Sequence, residues 1–169
     1  SETDVTVKFA PTSAGSKSAI LTITDAHGKI CTITLSGTAN AVYTVTYSAS
    51  DKTSGSVPTD ANKYEQNAIV TVLGNTGNLE KTGYTFASWK HSINSNTYTA
   101  DQTFTMGTAN VTMTAQWTPN TDTPYKVKHY QQNIVDDNYT LFETEYLTGT
   151  TDASVTPDVK SYTGFTSSP

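Results

Sequence analysis

Three histidines, His27, His91 and His129, are the side chains of this sequence best suited to acid–base chemistry near neutral pH. A hydrolase triad needs a nucleophile, a base and an orienting carboxylate in mutual contact. None of the three lies in a nucleophile elbow or a His-x-x-x-His pattern, and they fall in a turn, at the start of a polar loop and at the end of a strand. We therefore expect exposed structural histidines, no catalytic residue and no enzyme.

Two further stretches carry potential ligands for metals. The run Asp136-Asp137-Asn138 offers oxygen donors, but a calcium loop alternates its ligands and bends at a glycine, and this run does neither. We expect a hairpin turn there. The single cysteine, Cys31, excludes an internal disulfide and a cysteine metal cluster. Because Cys31 alternates with Ile33 and Leu35, we expect it to be a buried small apolar residue, and we expect no metal and no cofactor.

Aromatic residues could form a platform for sugars or fill a core. Small twisted sheets use aromatic side chains first for packing, so we favour the core and its boundary over a binding platform. The tyrosines open to either interpretation are Tyr64, Tyr98, Tyr130, Tyr139 and Tyr146. The predicted structural core is Tyr43, Val45, Tyr84, Phe86, Trp89, Val111, Met113 and Trp117. A ligand-binding residue is not identified by these patterns.

The composition indicates a mostly-β chain of several thin modules. Threonine, which favours strands, is the commonest residue with 34 of 169, and the hydrophobic share is only 35%. That share is below the usual figure of about 45–50%, so one large core is not expected. The net charge is −5 and arginine is absent, which counts against nucleic acid and against anionic membranes. We expect a monomer whose partners, if any, are host or cell-surface glycans or proteins.

Residues 1–40 contain three alternating segments. These are centred on Val7 and Phe9 with Val5, on Leu21 and Ile23, and on Ile33 and Leu35. The pattern Phe9-x-Pro11, Gly15, Leu21-x-Ile23 and Leu35-x-Gly37 resembles the C-terminal part of an Ig-like β-sandwich found in long bacterial surface proteins. The resemblance implies that its first half is absent from this sequence.

Residues 41–118 form the central unit, whose last strand alternates cleanly from Val111 to Trp117. This unit resembles the Listeria–Bacteroides repeat, the B-repeat type of internalins. The residues that carry the resemblance are Tyr43 to Tyr47, Gly55 to Pro58, Thr71-Val72, Gly83 to Trp89, Tyr98, Phe104 and Val111 to Trp117. Ser88 departs from the family, which usually has glycine before the tryptophan. The resemblance implies a β-grasp-like fold in a surface-exposed, multidomain protein.

The segment 119–124 contains two prolines, which predict a semi-rigid linker. Residues 125–169 open with Tyr125-x-Val127-x-His129-Tyr130 and later contain Tyr162-x-Gly164-Phe165. This pattern resembles a partial mucin-binding-protein-type repeat, again β-grasp-like, although the usual hairpin sequence is not matched.

These observations predict tandem small β modules in a bacterial cell-surface or secreted protein. The expected role is a non-catalytic structural or interaction segment, a stalk or spacer that contributes to adhesion, located outside the cell or in its wall. The alternative is a carbohydrate- or mucin-binding adhesin module. No run of residues is long and apolar enough to predict a membrane span.

Overall fold

The computed structural model describes residues 6–166, and every helix or strand assigned within that range is a β-strand. The β-branched residues that dominate the sequence fit extended backbone because their side chains restrict χ1. The predicted mostly-β class is therefore confirmed. Within residues 6–166, no helix is long and apolar enough to cross a membrane.

The N-terminal hairpin consists of β1 (Gly15–Thr24) and β2 (Ile30–Ala39), paired antiparallel from Gly15 opposite Ala39 to Thr24 opposite Ile30. Its turn is closed by Asp25, whose Oδ1 accepts hydrogen bonds from the backbone of His27 and Lys29, each at 2.8 Å. His27 is exposed in this turn, as expected.

Two expectations for this region are wrong. Residues 6–10, including Val7 and Phe9, form no strand, and Val5 lies outside the described residues. Instead, the ring of Phe9 lies over Gly37, where an added Cβ would come within 2.6 Å of it. Cys31 is exposed and not buried, because in the described residues no second sheet covers the face that it shares with Ile33.

The central module contains eight short strands, which form a four-stranded sheet and two small ladders. The strands are β3 (Val42–Tyr43), β4 (Val45–Ser48), β5 (Tyr64–Glu65), β6 (Ile69–Thr71), β7 (Tyr84–His91), β8 (Thr97–Tyr98), β9 (Thr103–Thr105) and β10 (Val111–Pro119). The sheet order is β4-β10-β7-β8, with β4 and β10 parallel and the other pairs antiparallel. The ladders pair β3 with β5 and β6 with β9. Strand β10 thus lies centrally, which explains its clean alternation.

One hydrophobic core lies within this module. Trp89 and Met113 are fully buried, and they pack with side chains from the β6–β9 ladder on the same face of the sheet. The other buried members are Val45, Tyr47, Ala49, Val70, Val72, Leu79, Phe104, Met106, Val111 and Ala115. All twelve residues come from the central module, so its stability depends on this cluster.

The C-terminal hairpin pairs β11 (Thr123–Gln132) with β12 (Tyr139–Gly149) in antiparallel register. The pairing shifts between His129 and Tyr130, so Phe142 is an extra residue on β12, a β-bulge. Residues 150–166, which we call the return segment, run back and contact one face of this hairpin.

Candidate functional site

His91, at the end of β7, is buried rather than exposed, and the expectation of an exposed side chain is wrong for this histidine. Its ring packs edge-on against Phe104 at a centroid distance of 4.7 Å. Its Nδ1 accepts hydrogen bonds from the backbone N–H groups of Ile93 and Asn94, at 3.1 and 3.3 Å. Both bonds require an unprotonated Nδ1, so the histidine organises the β7–β8 turn in its neutral form.

We expect the stability of the central module to fall on acidification through His91. Burial lowers the pKa of His91 below its ordinary value. As the pH falls below about 6.5, the unfolded chain therefore takes up a proton more readily than the folded chain, and stability present above that pH is lost. Urea unfolding at several pH values measures this. His91→Gln, which keeps an acceptor but cannot titrate, should flatten the dependence between pH 7 and 5. His27→Gln, in an exposed turn, should leave it unchanged.

The eight predicted core residues occupy three kinds of environment. Four are buried: Val45, Trp89, Val111 and Met113. Three are partly buried and pack against the core: Tyr43, Phe86 and Trp117. Tyr84 lies outside the core cluster and faces the C-terminal hairpin, where its hydroxyl donates a hydrogen bond to the carboxylate of Asp152. Tyr84, the first aromatic residue of the stretch Gly83 to Trp89, therefore contacts a different part of the chain from the core.

Tyr84 belongs to a hydrogen-bonded contact between the central module and the C-terminal hairpin, which we call the joint. The carbonyl of Gly83 accepts from the backbone N–H of Asn120 at 2.9 Å and from Thr151 Oγ1 at 2.6 Å. The carbonyl of Asn120 accepts from the backbone N–H of Thr151 at 2.9 Å, and its side chain accepts from Thr85 Oγ1 at 2.7 Å. The backbone of Asn120 therefore bonds to both sides, and the side chain of Thr151 bonds directly to Gly83, so the joint fixes the connection between them.

Gly83 is suited to this position for two reasons. Its φ of +79° lies in the left-handed region, which residues other than glycine rarely adopt. An added Cβ would also lie 2.8 Å from Thr151 Oγ1. Glycine at position 83 is therefore required both for the turn and for the close approach of Thr151.

Charged and aromatic side chains extend the contacts beside the joint. Asp51 accepts a hydrogen bond from Trp117 Nε1 at 3.1 Å and pairs with Lys81 at 2.7 Å. The hydrogen bond from Lys81, with a smaller contribution from that of Trp117, lowers the pKa of Asp51. Lys81 Nζ also lies 4.2 Å from the ring centroid of Tyr84. Trp117 is therefore tethered at the module surface through its indole N–H.

The return segment covers one face of the C-terminal hairpin. Lys160 forms ion pairs with Glu143, at 3.0 Å, and with Glu145, and these carboxylates raise the pKa of its amino group. Tyr162 donates to Glu143 at 3.1 Å and packs against Phe142 at a centroid distance of 5.0 Å. Lys160 is a stable cation here and not a nucleophile.

His129 lies on the same covered face, largely buried, 3.2 Å from Glu145, so the expectation of an exposed side chain is wrong for this histidine as well. Among the contacts of residues 6–166, no serine, threonine or cysteine side chain is hydrogen-bonded to the imidazole ring of His129 or His91. In the same range no group of three potential metal ligands comes together. Asp136 Oδ1 instead closes the β11–β12 turn by accepting from Asn133 Nδ2 and the Asn138 backbone.

The five tyrosines considered for sugar binding separate into two groups. Tyr64 and Tyr98 pack against the central core. Tyr130, Tyr139 and Tyr146 are exposed by 52%, 65% and 74% on the C-terminal hairpin. The expectation of core or boundary packing is therefore wrong for these three. Strict alternation along β12 would place Tyr139 and Tyr146 on opposite faces, and the β-bulge at Phe142 brings them to one face. The sequence predicts neither this bulge nor the covering of the opposite face by the return segment.

Comparison with known proteins identifies the central module. Residues 43–116 match the family model of the Listeria-Bacteroides repeat domain. The resemblance stated for this unit is confirmed, whereas the Ig-like and mucin-binding-type resemblances of the flanking segments remain predictions. The chain is also 32% identical over 84 residues to a protein of Evansella cellulosilytica with the provisional name Gly-rich membrane protein. That match covers 46% of this chain but only 10% of the relative's length. No solved structure matches the chain.

Proposed function

We propose that this chain is a non-catalytic spacer segment of a bacterial surface protein, in which small β modules are joined at fixed geometry. The joint is the observation that carries this proposal. A flexible linker would leave the backbone groups of Gly83, Asn120 and Thr151 to water, yet here Asn120 bonds through its backbone to both of the others, and the Thr151 hydroxyl donates to the Gly83 carbonyl. Stalks that present a distal domain need such couplings, because flexible links shorten the mean reach of a chain.

The strand geometry supports the same conclusion. Strand β10 ends at Pro119 and β11 begins at Thr123, so three residues separate the two strands. Pro119 and Pro124 restrict φ at both ends of this connection. A connection this short, bonded at Asn120 on both sides, leaves little freedom for the hairpin to swing.

Spin-label distance measurements test the rigid joint. Labels at Lys63→Cys and Lys128→Cys, in a Cys31→Ser background, would report the separation of the central module and the C-terminal hairpin. We expect one narrow distance distribution. The double variant Tyr84→Phe/Thr151→Val removes the hydrogen bonds from these two side chains to Asp152 and Gly83, and it should broaden the distance distribution.

Thr140→Val is the matched control, because it removes one exposed threonine hydrogen bond at the far end of the same hairpin. It should leave the distribution narrow. A broad distribution in the unmodified joint would contradict the rigid-spacer proposal.

Surface location is part of the proposal and has its own test. Its support is the family match of the central module and the relative whose provisional name describes a membrane protein. Antibodies against this chain should label intact, unpermeabilised cells that produce the parent protein. Labelling that appears only after permeabilisation would exclude an extracellular spacer.

A further inference from the structure

The uncovered face of the C-terminal hairpin has an unusual composition. Strand alternation and the β11–β12 register place one set of side chains opposite the return segment. We call this set the open face: Lys126, Lys128, Tyr130, Tyr139, Leu141 and Tyr146. All six residues are exposed, whereas Glu143 and Glu145 lie on the covered face, where Lys160 pairs with them.

Charge is separated between the two faces of this hairpin. The open face carries two lysines and no carboxylate in its strands, although the whole chain has a net charge of −5. Glu143 and Glu145 lie within β12 but on the covered face, and the next carboxylates along the sequence, Asp122 and those at 136 and 137, lie beyond the ends of the strands. The face therefore attracts anions in a chain that otherwise repels them.

Aromatic rings lie among the lysines along this face. Lys126 Nζ is 5.2 Å from the ring centroid of Tyr146, its cross-strand partner. Tyr130 pairs with Leu141, and Tyr139 pairs with Gln132 one step further along. Diagonal neighbours of this kind are roughly 7–8 Å apart, so the rings form a discontinuous row on a flat, hydrogen-bonded support. Pyranose sugars have flat, apolar ring faces with polar edges, and such faces can stack on exposed tyrosine rings that a rigid sheet holds in place.

We propose that the open face binds oligosaccharides that contain carboxylate-bearing sugars. The tyrosines stack on sugar rings, and Lys126 and Lys128 pair with carboxylates. The open face carries only two lysines, and this sparse charge distinguishes the ligand from nucleic acid. A nucleic-acid surface needs a dense basic patch, usually with arginine, and the chain has no arginine.

Calorimetric titration of the whole 169-residue chain tests the proposal with three probes: hyaluronan hexasaccharide, neutral chitohexaose and oligothymidylate. We expect the hyaluronan fragment to bind most tightly and its affinity to fall as NaCl is raised. Tyr146→Ala and the pair Lys126→Gln/Lys128→Gln should each weaken binding roughly tenfold. The 74% exposure of Tyr146 makes its substitution compatible with folding, which circular dichroism checks.

Lys29→Gln is the matched control, since it removes the same charge from an exposed turn of the N-terminal hairpin. It should leave the affinity unchanged. Three results would overturn the proposal: no binding of the hyaluronan fragment, equal or tighter binding of chitohexaose or oligothymidylate, or equal weakening by Lys29→Gln and the open-face variants. The spacer role would survive any of them, because the joint does not involve this face.

Discussion

Trp89→Ala is expected to unfold the central module at ambient temperature or bring it close to unfolding, with a loss of about 3–5 kcal/mol. Trp89 is 0% exposed and packs edge-on against Tyr47 and Phe86, at centroid distances of 4.8 and 5.0 Å. Its Nε1 donates to the carbonyl of Leu73 at 2.9 Å, so truncation leaves both a cavity and an unpaired acceptor. Urea unfolding followed by near-ultraviolet circular dichroism measures the loss.

Trp117→Ala is the matched comparison, since it removes the same side chain from the same pair of strands. Trp117 is only partly buried, and its indole N–H reaches Asp51 at the surface. We expect a loss of about 1–3 kcal/mol, smaller than for Trp89. Equal losses for the two variants, or an unchanged transition for Trp89→Ala, would contradict the conclusion that Trp89 lies within the core and Trp117 at its edge.

Gly77→Ala should destabilise the same module by at least about 2–3 kcal/mol, a large effect for one added methyl group. A Cβ at Gly77 would lie 1.9 Å from the carbonyl oxygen of Ser56, where contacts below 3.0 Å essentially never occur. The backbone cannot simply move away, because Ser56 N donates to the carbonyl of Gly77 at 2.9 Å. The added atom therefore separates two hydrogen-bonded loops.

Gly107→Ala provides the control for this prediction. An added Cβ at Gly107 meets no atom within 4 Å, and its backbone is not left-handed. We expect a change within about 0.5 kcal/mol or a small gain from a less flexible unfolded chain. Thermal melts of both variants decide the matter, and similar melting temperatures would show that the two loops are not in close contact.

Sequence patterns were informative where one face of a strand is buried. In β10, the alternation of Val111, Met113 and Ala115 with polar residues predicted the strand and its inner face, and all three are buried. The burial of Trp89 was predicted for a different reason, namely that small twisted sheets use aromatic side chains first for packing. A period of two identifies a face because successive side chains of a strand point to opposite sides.

The same patterns were misleading where burial depends on another segment. Cys31 alternates with apolar residues just as Met113 does, yet it is exposed because no layer lies over it in the described chain. His91 begins a polar loop but is enclosed by Phe104 from a distant strand. Alternation shows that a face exists, whereas only the packing of distant segments shows what covers it.

The sequence by itself determined the all-β class, the strands with strict alternation and the similarity of residues 43–116 to a repeat family. These depend on neighbours within a few positions, where side-chain sterics and the pleat act directly. Only the tertiary structure decided that Gly83 and Tyr84 form a joint with Thr151 and Asp152, and that the tyrosines of β11 and β12 stay uncovered. Those outcomes depend on which distant segment packs on each face, and local propensity carries no information about that choice.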